Sequence, residues 1–200
     1  MLDGIVHASP MERIIYDRMN SYDVDHFTMS VHLDAYCFAH QYLFQKSVLD
    51  AACGTCFGTM IYSTAAKSIV AIDRDEGAME YGKRLPFFCP TTFAALDLDT
   101  APLPEADICV SVETIEHLNG DGFFLKNLRV KELIFAVPLD MSGGYHIQAF
   151  NEPSDVVKHI EAYGWKVKVA IIQDKTGLAK MPEGLASLLC RSVIGIAERT

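Results

Sequence analysis

Along the chain, short apolar and β-branched runs that end on an acid or a proline alternate with stretches whose apolar positions recur every three or four residues. The first kind occupies residues 48–50, 68–73, 93–97, 107–113 and 132–138 and reads as buried strands. The second occupies residues 57–62, 75–81 and 153–163 and reads as helices with one apolar face. Alternation of strand and helix pairs the strands in parallel, because each crossover returns the chain to the same end of the sheet. Upstream, residues 32–45 place Leu33, Tyr36, Cys37, Leu43 and Phe44 at helical steps and predict a helix that caps the first strand. Downstream, residues 165–172 alternate at first, as an edge strand does, and residues 192–197 return antiparallel to them. The expected architecture is α/β, an open sheet of seven mostly parallel strands with the last one antiparallel, and about five helices. Residues 1–31, of mixed polarity, are expected to form a lead-in or lid ahead of one domain at 32–200.

Residues 47–62 change character three times. Val48 and Leu49 lead into Asp50, small residues around Gly54 follow, and an apolar helical run closes the stretch: strand, tight turn, helix. Small residues let backbone approach a ligand, and the N–H groups that open the helix are donors for negatively charged atoms. Asp50, Asp73, Asp97 and Glu113 fall at or just beyond the ends of successive strands, so a parallel sheet gathers them on one rim. Such a rim suits a cationic or polyhydroxylated ligand, and Asp73, about 20 residues past the glycine turn, stands where ribose hydroxyls are received. Capping of strand ends and helix starts is the structural alternative for these acids, and for Asp97 both uses stay open.

Charge narrows the partners. Among 200 residues there are 26 acids against 17 Lys and Arg, net −9, which disfavours nucleic acid and anionic membrane surfaces. No apolar run approaches the roughly 18–20 residues of a membrane helix, and the start shows no cationic leader, so a soluble, cytoplasmic protein without membrane insertion is expected. The six cysteines lie mainly among apolar or small neighbours and read as thiols. Cys53 and Cys56 form a C-x-x-C that a redox pair or half a zinc site could use, but a zinc site needs a second close pair, so no metal is expected.

V-L-D-A-A-C-G-T-C at residues 48–56 resembles V-L-D-x-G-C-G-x-G, the first motif of the class I S-adenosylmethionine-dependent methyltransferases. Asp73, Asp97-Leu98 with Pro102-Leu103-Pro104, and V-E-T-I-E-H-L at 112–118 resemble the later signatures. Residues 143–150 are similar to a His-x-x-x-Phe segment found after strand five, ahead of a Tyr163-Gly164-Trp165 turn. The resemblance covers about residues 30–200 and points to the small-molecule branch that includes ubiquinone-biosynthesis O-methyltransferases. It implies a Rossmann-like three-layer sandwich and S-adenosyl-L-methionine as cofactor. By position, it implies that Ala52, Cys53 and Gly54 offer backbone to the methionine part, beside Asp50, and that Asp73, next to Arg74, takes the ribose hydroxyls. Asp97 and Leu98 would read the adenine edge, Glu113 would stand by the sulfonium, and Tyr36 and His32 would close over the cofactor from the first helix. Ala52 and Cys56 stand where the motif has glycines, so a positive φ at either would cost strain, and a side chain at 56 is expected to narrow the approach.

Methyl transfer needs alignment of an acceptor and, for a hydroxyl, removal of its proton. His117 and His146, placed over the same rim, are the candidate bases; structural hydrogen bonding is the alternative for each. Glu116 reads as a base or as a solvated helix-start acid, and Tyr36, Phe57, Tyr62 and Tyr145 as an aromatic lining or as core. The expected activity is methylation of a small molecule, at oxygen in preference to nitrogen. The competing class is a protein that binds the cofactor without transferring its methyl, suggested by Cys56 and by Ala35, where relatives carry a cation. A nicotinamide oxidoreductase is disfavoured, because Phe57 occupies the third glycine position of G-x-G-x-x-G. Oligomeric state has no signal in the chain.

Overall fold

The computed structural model describes residues 26–119, 122–139, 146–174, 177–180 and 190–200. The expected lid, apart from the first residues of a helix, and Tyr145 lie outside the described residues. Helix α1 spans His26–His40, followed by β1 (Ser47–Ala51), α2 (Phe57–Tyr62), β2 (Ser68–Asp73), α3 (Glu76–Gly82), β3 (Thr91–Ala95) and β4 (Ile108–Val112). A single 3-10 turn, Ile115–His117, then leads to α4 (Phe123–Asn127), β5 (Glu132–Pro138), α5 (Pro153–Glu161), β6 (Trp165–Asp174), β7 (Gly177–Lys180) and β8 (Cys190–Arg199).

These strands form one sheet in the order β3-β2-β1-β4-β5-β8-β6-β7. The pairs from β3 to β5 are parallel, and β8 runs antiparallel to both β5 and β6. All seven expected strands are present; β7 adds a four-residue edge to β6. Side chains alternate between two cores. Leu49, Cys109, Leu133, Phe135 and Val137 face a layer built on Phe124, Leu125, Val156, Ile160 and Trp165. Val48, Ile108, Val110, Ile134 and Ala136 face the layer of α1 and Tyr62. This is the three-layer sandwich.

Two joints hold the layers to the sheet. Trp165 donates its indole N–H to the Leu125 carbonyl (3.0 Å), and Arg199, stacked 4.6 Å over the same indole, donates to the carbonyls of Leu125, Lys126 and Leu128. The end of α4 is thereby capped by a strand distant in sequence. On the other face, Gln173 of β6 donates to the Asp34 carboxylate (2.8 Å) and the Val31 carbonyl (3.3 Å), which ties α1 down. Helix α1 ends five residues before the expected limit, because the chain turns there and Gln45 adopts φ 57°. Helix α1 runs through residues 31 and 32.

Candidate active site

Chain order reverses between β1, which is followed by β2 and β3 on one side, and β4 on the other; the crevice of an open α/β sheet lies at that point. The turn after β1 fills one lip. Ala52, Gly54 and Cys56 all have positive φ (60°, 54° and 62°), and so has Glu113 (51°) on the opposite lip after β4. For residues with a Cβ this conformation costs roughly 1–3 kcal/mol each, and such strain concentrates at functional sites. Of the four non-glycine residues with positive φ among those described, three border the crevice. A Cβ built on Gly54 would meet no atom within 4 Å, so the turn faces open space.

The Cys56 side chain does not narrow that space. Its sulfur lies against Gly82 of α3, at a point only 2.4 Å from where a Cβ on that glycine would stand, and Cys56 is fully buried there. The missing side chain at 82 accommodates the extra one at 56. The Cys53 and Cys56 thiols share a hydrogen bond at 3.7 Å, to which Cys53 can contribute its S–H. That bond, burial and the carboxylates of Asp50 and Asp73 push the Cys53 thiol up, away from the thiolate a redox pair needs.

Asp73 ends β2 with a buried carboxylate whose two oxygens accept the N–H groups of Gly54 and Asp75, each at 2.8 Å. The acid is held by the turn it faces before any ligand arrives. Asp50, one residue inside β1, is buried, accepts the Thr59 hydroxyl at 2.5 Å, and is pushed up to about 7 by burial, with the charge of Asp73 adding and the Thr59 bond opposing. Tyr36 reaches over from α1: burial, then Asp50, Glu113 and Cys53, raise its phenol far above the ordinary value, so its hydroxyl sits among the lip residues as a donor. The Tyr36 ring packs against Gly58, whose Cβ would stand 2.9 Å from it, and edge-on against Tyr62 (5.8 Å); His32 lies 6.0 Å from Tyr36 and is buried. Phe57 and Tyr62 belong to this buried cluster.

The structure thus brings Tyr36, Asp50, Ala52, Cys53, Gly54, Asp73 and Glu113 to one crevice, with His32 buried beside Tyr36. Arg74 is exposed beside it. Asp97 stands two residues past β3, exposed, and accepts the Asp99 N–H at 2.9 Å, while Leu98 packs into the core with Leu49 and Ile72. Glu116 is not a solvated acid: it is 1% exposed, in a 3-10 turn and not at an α-helix start. His117 and His146 meet edge-on at 4.7 Å. Two contributors escaped the sequence reading: Thr59, the donor to Asp50, and Ser192 of β8, whose hydroxyl reaches Glu113 at 3.4 Å. Thr59 was detectable, since it stands on the turn of α2 that faces the strand; Ser192 carried no signal.

Residues 49–130, from β1 to the approach of β5, match the family model described as a methyltransferase domain. Two proteins of Mycobacterium tuberculosis, each named "Probable S-adenosylmethionine-dependent methyltransferase", from strains CDC 1551 / Oshkosh and ATCC 25618 / H37Rv, are 30% identical over 98 residues. That stretch is 44% of this chain and 35% of theirs, so the chain spans about a third of the length of the curated relatives it matches. Among solved structures, magnesium protoporphyrin IX methyltransferase from Synechocystis PCC 6803, with bound S-adenosylmethionine, superposes with TM-score 0.64 at 15% identity, covering 97% of this chain and 99% of that one. The fold is that of the class I methyltransferases. A TehB-like S-adenosylmethionine-dependent methyltransferase from Corynebacterium glutamicum gives TM-score 0.63 at 16% identity, covering 84% and 87%.

The names of those relatives and the solved structure with bound S-adenosylmethionine point to one cofactor, S-adenosyl-L-methionine. The residues present fit it: open space beside Gly54, a buried and prealigned carboxylate at Asp73, and an acidic lip for a sulfonium cation. Among the described residues, no helix is long and apolar enough to cross a membrane.

Proposed function

We propose that this chain is an S-adenosylmethionine-dependent methyltransferase acting on a small-molecule acceptor, at oxygen in preference to nitrogen. The observation that carries the reading is the convergence of Asp50, Asp73, Glu113 and the Tyr36 hydroxyl on the open side of the Gly54 turn. The cofactor supplies an electrophilic methyl group on a cationic sulfur. In this reading Asp73 receives the ribose hydroxyls, with Arg74 at its exposed side. The backbone of Ala52, Cys53 and Gly54 borders the methionine part, beside the Asp50 carboxyl. Asp97 and the Leu98 backbone serve the adenine edge, Glu113 lies next to the sulfonium, and Tyr36 with His32 closes the crevice from α1. His117 and His146 stand beyond Glu113, on the side left for the acceptor, where a hydroxyl must give up its proton. Two imidazoles paired at that place support oxygen over nitrogen. The acid-lined crevice and the net charge of −9 support a small acceptor over nucleic acid.

Cys56 gives no reason to prefer binding without transfer, because its side chain is turned into α3. The test is calorimetry with the cofactor and its demethylated product on the wild type and on Asp73→Ala. Loss of two charge-assisted hydrogen bonds predicts a weakening of about 3 kcal/mol, roughly a hundredfold. Unchanged affinity refutes the site. Tight binding with no methyl passed to any metabolite of a cell extract refutes the activity.

A further inference from the structure

Beyond Glu113, one donor atom each from Glu116, His117 and His146 lie within 4.8 Å of one another. They come from two segments locked together by backbone bonds. The Glu116 carbonyl accepts the N–H groups of both Ile147 and Gln148 at 2.9 Å, and the Gln148 side chain donates to the carbonyls of Ile115 and Leu118 at 3.0 Å. This clasp fixes His146 beside His117, with ring centroids 4.7 Å apart, and His117 Nε2 stands 3.6 Å from Glu116 Oε1. Glu116 is buried while both imidazoles are half-exposed, so the cluster has a carboxyl floor and an accessible mouth.

We infer that Glu116, His117 and His146 form a binding site for one divalent transition-metal ion, such as Zn²⁺, Mn²⁺ or Co²⁺. Two imidazoles and a carboxylate are the donor set that such ions favour over Mg²⁺ and Ca²⁺, and they leave coordination positions for an outside ligand. The ion's role rests on the methyl-transfer reading. At the acceptor end of the crevice it binds the acceptor oxygen and lowers that hydroxyl's pKa. The hydroxyl proton leaves to solvent, an oxygen lone pair forms the new bond to the methyl carbon, and the carbon–sulfur pair returns to sulfur as a neutral thioether. The histidines then act as ligands and not as bases.

The test uses the full chain, stripped by a chelator and titrated with Co²⁺, following visible d–d absorption and stoichiometry, with cofactor affinity measured calorimetrically on the same preparations. One equivalent is expected, weakened about tenfold or more by His146→Ala and by Glu116→Gln. Because Glu116 is buried, the half-exposed His146 variant is decisive, with circular dichroism confirming its fold. Asp73→Ala is expected to keep the metal and lose the cofactor. No Co²⁺ binding, or binding indifferent to His146→Ala, overturns the site even where the cofactor binds normally. Metal binding without cofactor binding upholds the site and overturns the methyl-transfer reading.

Discussion

Replacing Asp50 by asparagine gives a measurable signature of the buried acid. The folded protein holds this carboxyl at about 7 against an ordinary 3.8, with burial the leading cause. A raised folded-state pKa means that the folded state binds the proton more tightly than the unfolded one. Below about pH 4 both states are protonated and the group costs nothing. As the pH rises toward 7 the unfolded chain ionises while the fold still holds its proton, and stability falls. About three pH units at 1.36 kcal/mol each give about 4 kcal/mol, fully developed above pH 7. Between pH 5 and pH 8 the loss is roughly 2.5 kcal/mol. Asparagine keeps an oxygen for the Thr59 hydroxyl and never ionises, so Asp50→Asn gains that amount on the wild type over the same interval. In thermal melts this is a relative rise of about 5–10 °C in Tm, at about 2–4 °C per kcal/mol for a chain of this size. Melts of both proteins at pH 5, 6, 7 and 8 decide it: parallel profiles would show that the carboxylate is not buried as described. A cationic ligand beside Asp50 favours its ionised form, so calorimetry near pH 6.5 in buffers of different ionisation enthalpy is expected to show proton release on cofactor binding.

Gly82→Ala places a methyl group 2.4 Å from the Cys56 sulfur and 2.9 Å from the Thr55 carbonyl, so it shifts the ligand-facing turn from behind. Cofactor affinity is expected to fall about tenfold with the fold intact, and Cys56→Gly in the same chain to restore most of it, a coupling of about 1 kcal/mol; independent effects in the four-variant cycle would refute the pairing. Trp165→Phe removes the indole bond to Leu125 and the stack under Arg199, at a cost of about 2 kcal/mol in urea unfolding. A change below about 0.5 kcal/mol, the range of an ordinary surface substitution, would show that the joint carries little of the stability.

β1, β2, β4 and β5 were legible because each is an apolar run that reaches an acid or a proline, and burial on both faces demands that pattern, whereas β3 lies at Thr91–Ala95, two residues ahead of the expected 93–97, and is only partly buried. The end of α1 was not legible, since Leu43 and Phe44 continue the helical period although they lie in a turn, Leu43 buried and Phe44 76% exposed. Periodicity cannot report the left-handed Gln45 that ends the pattern. β7, Gly-Leu-Ala-Lys, has too little β-branched character to announce an edge strand. Within the site, the strand-end acids were foreseeable from spacing, and so was the strain question at Ala52 and Cys56. Where the Cys56 side chain goes was not, since it depends on Gly82, 26 positions downstream in a different helix. Glu116 illustrates the same limit: an acid in a polar-looking stretch is buried only because the 146–150 segment folds back over it.

The insertion of β8 between β5 and β6 has a consequence for how the molecule assembles during translation. Until residues 190–199 have emerged, β5 presents an unpaired edge, and the β6–β7 hairpin has no strand linking it to the rest of the sheet. The same late segment brings Arg199 to the open end of α4. A nascent chain can therefore shape the parallel half early but stays sticky along one border. Closure comes in one step, when the final hairpin partner slides into its slot and seals that border and the helix end together.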